Sequence, residues 1–511
     1  MKSLSLFLLL TLITFSFQKT AIERVNEMGL GWNLGNTFDC YGSWKTMKTP
    51  DDQITLWGNA VPTKETILAI KKYGFRTIRL PVTWMNFIDE DGKLDYEWYD
   101  RVREAVMWIV ETGMYCVLNV QNDGVSGNWL SQGLVYKDKF VSLWKQIASG
   151  MRMFSHNFIL ESMNKVEFKS GNELDYKTLN ELNQAFVDTV RATGGVNAER
   201  LLLIAGMDAD LEKTCSSKFK IPTDKANNLA VSIHYYLPPQ FTIESDRNPW
   251  TYIDDKGKVQ KITPMTTWGT EFDYKEMTKN FERMKKYFVD KGIPVYISEV
   301  GVITEEEKDK DSIREFLYAH FSFSKSYDGI KSALWDTSTN TAGDMNFFNR
   351  ETDEWYDEEI RDNFINLSKK KNYVNPADYF VKCNNETSSN VSSEGYIKIN
   401  FENKKVNKVI FNAKIDDTQI SEIGFGIGSK NSSGTWFGDP VSGEEGVKQS
   451  DGTYTYTVDV SDKDFNDYIQ VQGWWGNENI LINYVTVEYD EFENTIDYKA
   501  YKEAVSKKKL K

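Results

Sequence analysis

The chain has 511 residues, 27% of them charged, 40% hydrophobic and 14% aromatic, with a formal net charge of −14. That length exceeds what one hydrophobic core organises, so it implies two domains or a large domain with an appendage. The negative charge repels phosphate backbones, and no Lys/Arg stripe interleaved with aromatics overrides it, which argues against a nucleic-acid partner.

Residues 1–18 carry one early cation, Lys2, and an apolar run to Phe17. The run is too short to span a bilayer and stands where a secretory signal would, so it predicts a signal peptide and a secreted, extracellular protein. No later stretch reaches transmembrane length, and a membrane partner is not expected. From about residue 29 to 338, eight β-type runs alternate with helical patterns: GLGWNLGNTF, TIRLPV, YCVLNV, FILESMN, LLLIAG, VSIHYY, VYISEVG and SALWDTS. KETILAIKKYG and YDRVREAVMWIVETG, which precede the second and third runs, repeat apolar residues at three and four. Eight strand–helix alternations predict an α/β fold, a closed (β/α)8 TIM barrel over 19–381, with its chemistry at the C-terminal strand ends. An open doubly wound sheet would want a Gly-rich phosphate loop after its first strand, and none is present.

Residues 382–395 are rich in Ser and Asn without periodicity and read as a linker. Beyond it, IKINF, KVIFNAKI, IGFGIG, YTYTVDV, YIQVQGWW and ILINYVTVEY predict a small all-β sandwich over 396–490, followed by a charged tail at 491–511. Strand parity in YIQVQGWW puts Ile469, Val471 and Trp475 on one face and Gln470, Gln472 and Trp474 on the other. Amides beside an exposed indole suit a polysaccharide, because rings stack on sugars and amides read hydroxyls. Trp436 in GTWFGDP would extend that platform. The domain therefore looks like a carbohydrate-binding module.

Cys40, Cys116, Cys215 and Cys383 have no metal-type spacing, and an oxidising destination leaves their pairing open. Sequons stand at Asn366, Asn385, Asn390 and Asn431. The three histidines, His156, His234 and His320, lack ligand spacing, so neither a metal nor another cofactor is expected. The acidic run TEEEKDKD at 304–311 reads as a helix start with Thr304 as its cap and Glu307 closing a capping box. A monomer is expected.

The strand ends, in order, are Asn33, Arg79, Asn164, His234 with Tyr236, Glu299 and Trp335. Over Gly29 to Asp336 this set resembles glycoside hydrolase family 5, most closely its cellulase-like branch. The resemblance implies Glu299 as the nucleophile, an acid/base carboxyl directly after Asn164, and a β-linked glucan, xylan or mannan as the ligand. Trp44, Trp268 and Trp335 would offer apolar faces to pyranose rings, and Asn164, Arg79 and Tyr236 donors to hydroxyls. Three residues in two places depart from the family. Lys165 stands at the acid/base position, and Gln121 and Asn122 stand where a His-rich turn follows the third strand. An ammonium is a poor proton donor at neutral pH and no base at all, and an ion pair with Glu299 would also quiet the nucleophile. Glu167, just beyond the strand, is the one nearby candidate for a relocated acid. Three functions are thus open: a glucan-binding protein on an impaired glycosidase scaffold, an active endo-β-1,4-glucanase with a re-sited acid, or a structural matrix crosslinker.

Overall fold

The computed structural model describes residues 19–490 apart from 43, 169–172, 245–250, 254–258, 262–263, 306, 340–343, 370–383, 389–395, 401–404, 431–435, 451, 462, 464, 466–467 and 476–479. The expected signal peptide, the charged tail, Cys383, Asn390 and Asn431 lie outside the described residues. The chain divides into two compact units, Met1–Pro264, Glu282–Glu306 and Tyr327–Ser368 in one, and Met265–Phe281, Glu307–Ser326 and Lys369–Lys511 in the other.

In the first unit, eight parallel strands close a barrel: β1 (Gly31–Asn33), β2 (Thr77–Leu80), β3 (Tyr115–Leu118), β4 (Phe158–Glu161), β5 (Leu202–Ala205), β6 (Leu229–Tyr235), β9 (Val295–Val300) and β10 (Ile330–Leu334). Two antiparallel pairs are inserted around them, β7 (Thr251–Ile253) with β8 (Val259–Lys261), and β11 (Phe348–Asn349) with β12 (Glu354–Trp355). Each of the eight predicted runs supplies one barrel strand, in the expected order. These strands are mostly apolar because both faces of a barrel sheet are covered, and every residue of β1 to β5 is buried. The helix Ala21–Met28 starts at a Thr20–Glu23 capping box, and its Ala21, Val25 and Met28 join Tyr115, Val117, Leu203 and Tyr296 in one apolar cluster. Cys40 and Cys116 are buried free thiols here, and Asn366 is exposed on the helix Glu358–Lys369. No described helix is long and apolar enough to cross a membrane.

Register then places the polar strand ends. Asn33 on β1 lies opposite Arg79 on β2. A register shift after Ile233 sets His234 on β6 opposite Glu299 on β9; bulges of this kind re-aim side chains next to active sites.

In the second unit, two antiparallel sheets run β13 (Asn384–Ser388), β21 (Leu481–Asp490), β15 (Lys405–Lys414), β19 (Tyr454–Asp459), β18 (Val447–Lys448), and β14 (Tyr396–Asn400), β20 (Tyr468–Trp475), β16 (Gly424–Lys430), β17 (Trp436–Ser442). Their inner faces share a core in which Phe411, Phe425 and Tyr456 pack with ring centroids 4.6–4.9 Å apart. Part of the expected linker is not one: residues 384–388 pair antiparallel with 485–489. A Ser- and Asn-rich composition did not preclude a strand whose ladder partner lies a hundred residues away. The helix after the acidic run also begins later than expected. Its first residue is Lys310, and Asp309 caps it by accepting the Ser312 N–H at 2.9 Å. Thr304 instead hydrogen-bonds Asn346.

Candidate active site

Arg79 organises the C-terminal mouth of the barrel. A guanidinium has five N–H donors, and here each finds an acceptor: Nε donates to Glu161 at 2.7 Å, Nη1 to Glu299 at 2.9 Å and Asn33 at 3.1 Å, and Nη2 to Asn164 at 2.9 Å and Gln121 at 3.3 Å. The side chain is wholly buried. Burial alone would lower its pKa, but the Glu161 and Glu299 carboxylates outweigh that and raise it. Two carboxylates around one buried cation leave one negative charge in the site. Glu161 also accepts from Ser232, so it lies in the internal polar layer below the mouth, too committed to act on a substrate.

Glu299 is held from four sides. Its Oε1 accepts from Arg79 and, at 3.2 Å, from Gln121 Nε2, while Oε2 accepts the Tyr236 hydroxyl at 3.0 Å and lies 3.4 Å from His234 Nδ1. Burial pushes this carboxyl up, and the charges of His234 and Arg79 with the hydrogen bonds from Gln121 and Tyr236 more than reverse that, leaving it below the ordinary range. Burial lowers His234 below the ordinary imidazole value despite the Glu299 charge beside it, so the permanent countercharge is Arg79. Asn164 Oδ1 already accepts from Arg79, which makes His234 Nε2, at 3.1 Å, the protonated nitrogen. Tyr236 keeps its proton, because burial and then the Glu299 charge raise it far above the usual phenol value. The result is an ionised, oriented carboxylate with Oε1 anchored twice and Oε2 freer to react.

Lys165 does not join this group. Its Nζ lies 3.8 Å from Glu167 Oε1, both side chains are over 40% exposed, and the basic groups within ion-pair distance of Glu299 among the described residues are Arg79 and His234. The expected Lys165–Glu299 pair is therefore absent. A half-exposed ammonium keeps more hydration beside a solvated carboxylate than it would beside one already neutralised by Arg79. Glu167 is fixed on the loop, its N–H donating to the Gly124 carbonyl at 2.9 Å and its Oε2 accepting the Ser126 N–H at 3.2 Å.

The other expected site residues divide. Asn33 donates to the Ser298 and Leu334 carbonyls, bracing β9 and β10. Trp335 is half-buried with its indole against Gly35, where an added Cβ would stand 3.0 Å from the ring, and Trp44 is 72% exposed. Trp268, in contrast, is no sugar platform: it is 4% exposed, packed 4.9 Å from Tyr274 and 5.3 Å from Phe316 between ring centroids. Asn122 also turns away, its Nδ2 donating to the Asp39 carbonyl at 2.8 Å, so only Gln121 of the altered pair reaches the nucleophile. Sequence reasoning overlooked Asn119, which donates to Gln121 Oε1 at 2.6 Å and sets which end of that amide faces Glu299. Alternation along Asn119-Val120-Gln121 was the signal that could have found it.

The model for cellulase (glycosyl hydrolase family 5) fits residues 34–341. The chain belongs to glycoside hydrolase family 5. It is 68% identical to a GH5-4 broad specificity endoglucanase from an uncultured bovine rumen ciliate, with a TM-score of 0.67 over 69% of this chain and 99% of that one. Endoglucanase A of Paenibacillus barcinonensis is 33% identical across 65% of this chain and 86% of its own length. A GH5-4 broad specificity endoglucanase from Ruminococcus champanellensis with bound cellotriose is 29% identical, with a TM-score of 0.60 over 68% and 99%.

On the sandwich, the outer face of the β14–β20–β16–β17 sheet carries the residues expected to meet glycan, with one correction. Phe425 pairs with Gly473 and Gly424 with Trp475, so Trp474 is an extra residue in the ladder. The bulge brings Trp475 out of the core face assigned by strict alternation. It is 40% exposed and Trp474 43%, their centroids 6.4 Å apart. Gly424 and Gly426 make room for them: a Cβ on Gly426 would stand 2.8 Å from Trp474, and one on Gly424 would run into Trp475. Gln470 donates to Gln472 at 3.2 Å across the same face, although Gln470 is itself buried. Trp436 opens β17 opposite Lys430, and its side chain lies outside the described residues.

Proposed function

We propose that this family 5 member is a secreted β-1,4-glucan-binding protein whose cleft keeps the nucleophile of a retaining glycosidase but lacks its acid/base. The observation that carries the reading is the contrast between Glu299, fully assembled, and position 165, where an ammonium turns toward Glu167. A retaining site needs a second carboxyl about 5 to 5.5 Å from the first, protonated for departure of the leaving group and ionised to activate water. Lysine offers neither service. General acid/base assistance is worth about 10² to 10⁴-fold per step, so hydrolysis of an unactivated glucan falls by at least that factor. Binding does not depend on it: Trp335 and Trp44 supply ring faces, and Asn164, His234 and Tyr236 supply polar groups at the cleft floor. The sandwich adds a second glycan contact through Trp474, Trp475 and Gln472.

The competing reading, an active endoglucanase using Glu167, draws on that residue's position beside Lys165. Its engagement with Ser126 and its exposure weigh against it, since an acid works best desolvated and aimed at the scissile oxygen. Calorimetric titration with cellotetraose and reducing-end release from soluble β-glucan together test the proposal. Binding with negligible release supports it. Release by the wild type that Glu167→Gln abolishes favours the competing reading, and absence of binding refutes both.

A further inference from the structure

We infer that, given a β-glucosyl donor whose leaving group needs no proton, this chain carries out the first half of a retaining reaction and stops as a covalent glycosyl-enzyme on Glu299. The inference rests on the reading above, that position 165 supplies neither acid nor base, and extends it to a chemical activity. In the first step an oxygen of Glu299 attacks the anomeric carbon. Oε2 is the better placed, since Oε1 is anchored by the Arg79 cation and Gln121 while Oε2 accepts the neutral Tyr236 hydroxyl and lies at the longer distance of 3.4 Å from His234 Nδ1. The O–C1 bond forms as the bond from C1 to a dinitrophenolate oxygen breaks, and the electron pair departs with the phenolate. No proton moves, so a missing acid costs nothing.

The second step does need a base. Water attacking C1 must surrender a proton as the ester oxygen leaves, and an ammonium has no lone pair to take it. Among the described residues, the carboxylates of Glu161, Asp123, Asp336 and Glu167 are spoken for. Glu161 is bonded to Arg79 and Ser232, and Asp123 to the Trp84 N–H and Trp129 Nε1. Asp336 accepts from Trp32 Nε1 and from backbone N–H groups of Ser338, Phe347 and Phe348. Glu167 is turned to Ser126 and Lys165. Tyr236, the nearest hydroxyl, retains its proton. The ester therefore outlives the step that made it. A small anion such as azide evades the block: it attacks C1 without deprotonation, Glu299 leaves as carboxylate, and a β-glycosyl azide forms. The positive charge that Lys165 puts where the family has a carboxylate favours the approach of such an anion.

The test uses the full chain with 2,4-dinitrophenyl β-cellobioside. The wild type should release about one equivalent of phenolate in a burst, gain the mass of one cellobiosyl group, and yield that group on Glu299 by peptide mapping. Azide should speed turnover by roughly the 10²-fold or more that base assistance is worth, with β-cellobiosyl azide as product. Glu299→Gln should give no adduct while remaining folded by circular dichroism, and Lys165→Glu should turn over steadily without accumulating one. A wild type that binds cellotetraose but forms no adduct, or carries it on Lys165, overturns this inference and leaves the proposed function standing. Steady release from both the aryl cellobioside and unactivated β-glucan overturns both.

Discussion

Replacing Arg79 with Met deletes the one buried cation that serves two buried carboxylates, and the cost follows from what those carboxylates must then do. Arg79 is 0% exposed, with Glu161 at 1% and Glu299 at 6%. Removing one partner of a buried ion pair typically costs about 3 to 5 kcal/mol. The cheapest escape is for a carboxyl to bind a proton. From a reference of about 4.3, at about 1.36 kcal/mol per unit, protonation costs about 3.7 kcal/mol for each Glu at pH 7 and almost nothing near pH 4. The variant should therefore be about 4 to 7 kcal/mol less stable at pH 7. The sign is specific. In the wild type Glu299 is lowered, so its contribution is present above the unfolded value and lost as pH falls through the folded one. In the variant the folded value is raised, so stability is kept in acid and lost as pH rises. Urea unfolding followed by tryptophan fluorescence at pH 7 and near pH 4 reads the difference, which should shrink by several kcal/mol in acid. A loss below about 1 kcal/mol, or an equal loss at both pH values, would refute the assignment of Arg79 as the charge that holds the site together.

In a Lys165→Glu background, Gln121→His should change the hydrolysis rate by more than Asn122→His, because only Gln121 touches Glu299; equal effects in steady-state assays would contradict the geometry. Trp474→Ala and Trp475→Ala should each weaken retention on β-glucan in affinity electrophoresis by about 1 to 3 kcal/mol, the usual loss at an aromatic hot spot. Gly426→Val should do the same indirectly, since its side chain displaces the Trp474 ring, and unchanged migration of all three variants would remove the sandwich from glycan binding.

The barrel was legible in the sequence because its strands are buried on both faces and so appear as short, dense apolar runs, with polar residues at or near several of their C-terminal ends where the mouth begins. Arg79, Asn164, His234, Tyr236 and Glu299 converge for that reason. What alternation could not convey was departure from alternation: the ladder slip at Trp474 moved Trp475 to the outer face. Tertiary packing settled Trp268, whose neighbours Tyr274 and Phe316 lie 6 and 48 positions away in the chain. The direction taken by Lys165 was equally hidden, because a flexible ammonium chooses between carboxylates by local hydration and by which of them already has a cation.

The central claim is that position 165, and not the rest of the site, limits catalysis. The most direct measurement is the ratio of reducing-end release from soluble β-glucan by Lys165→Glu and by the wild type, at equal enzyme and saturating substrate. The account predicts a ratio of about 10² or more, the value of restored general acid/base assistance. A ratio near one would contradict it, whether both proteins are active or both are inert.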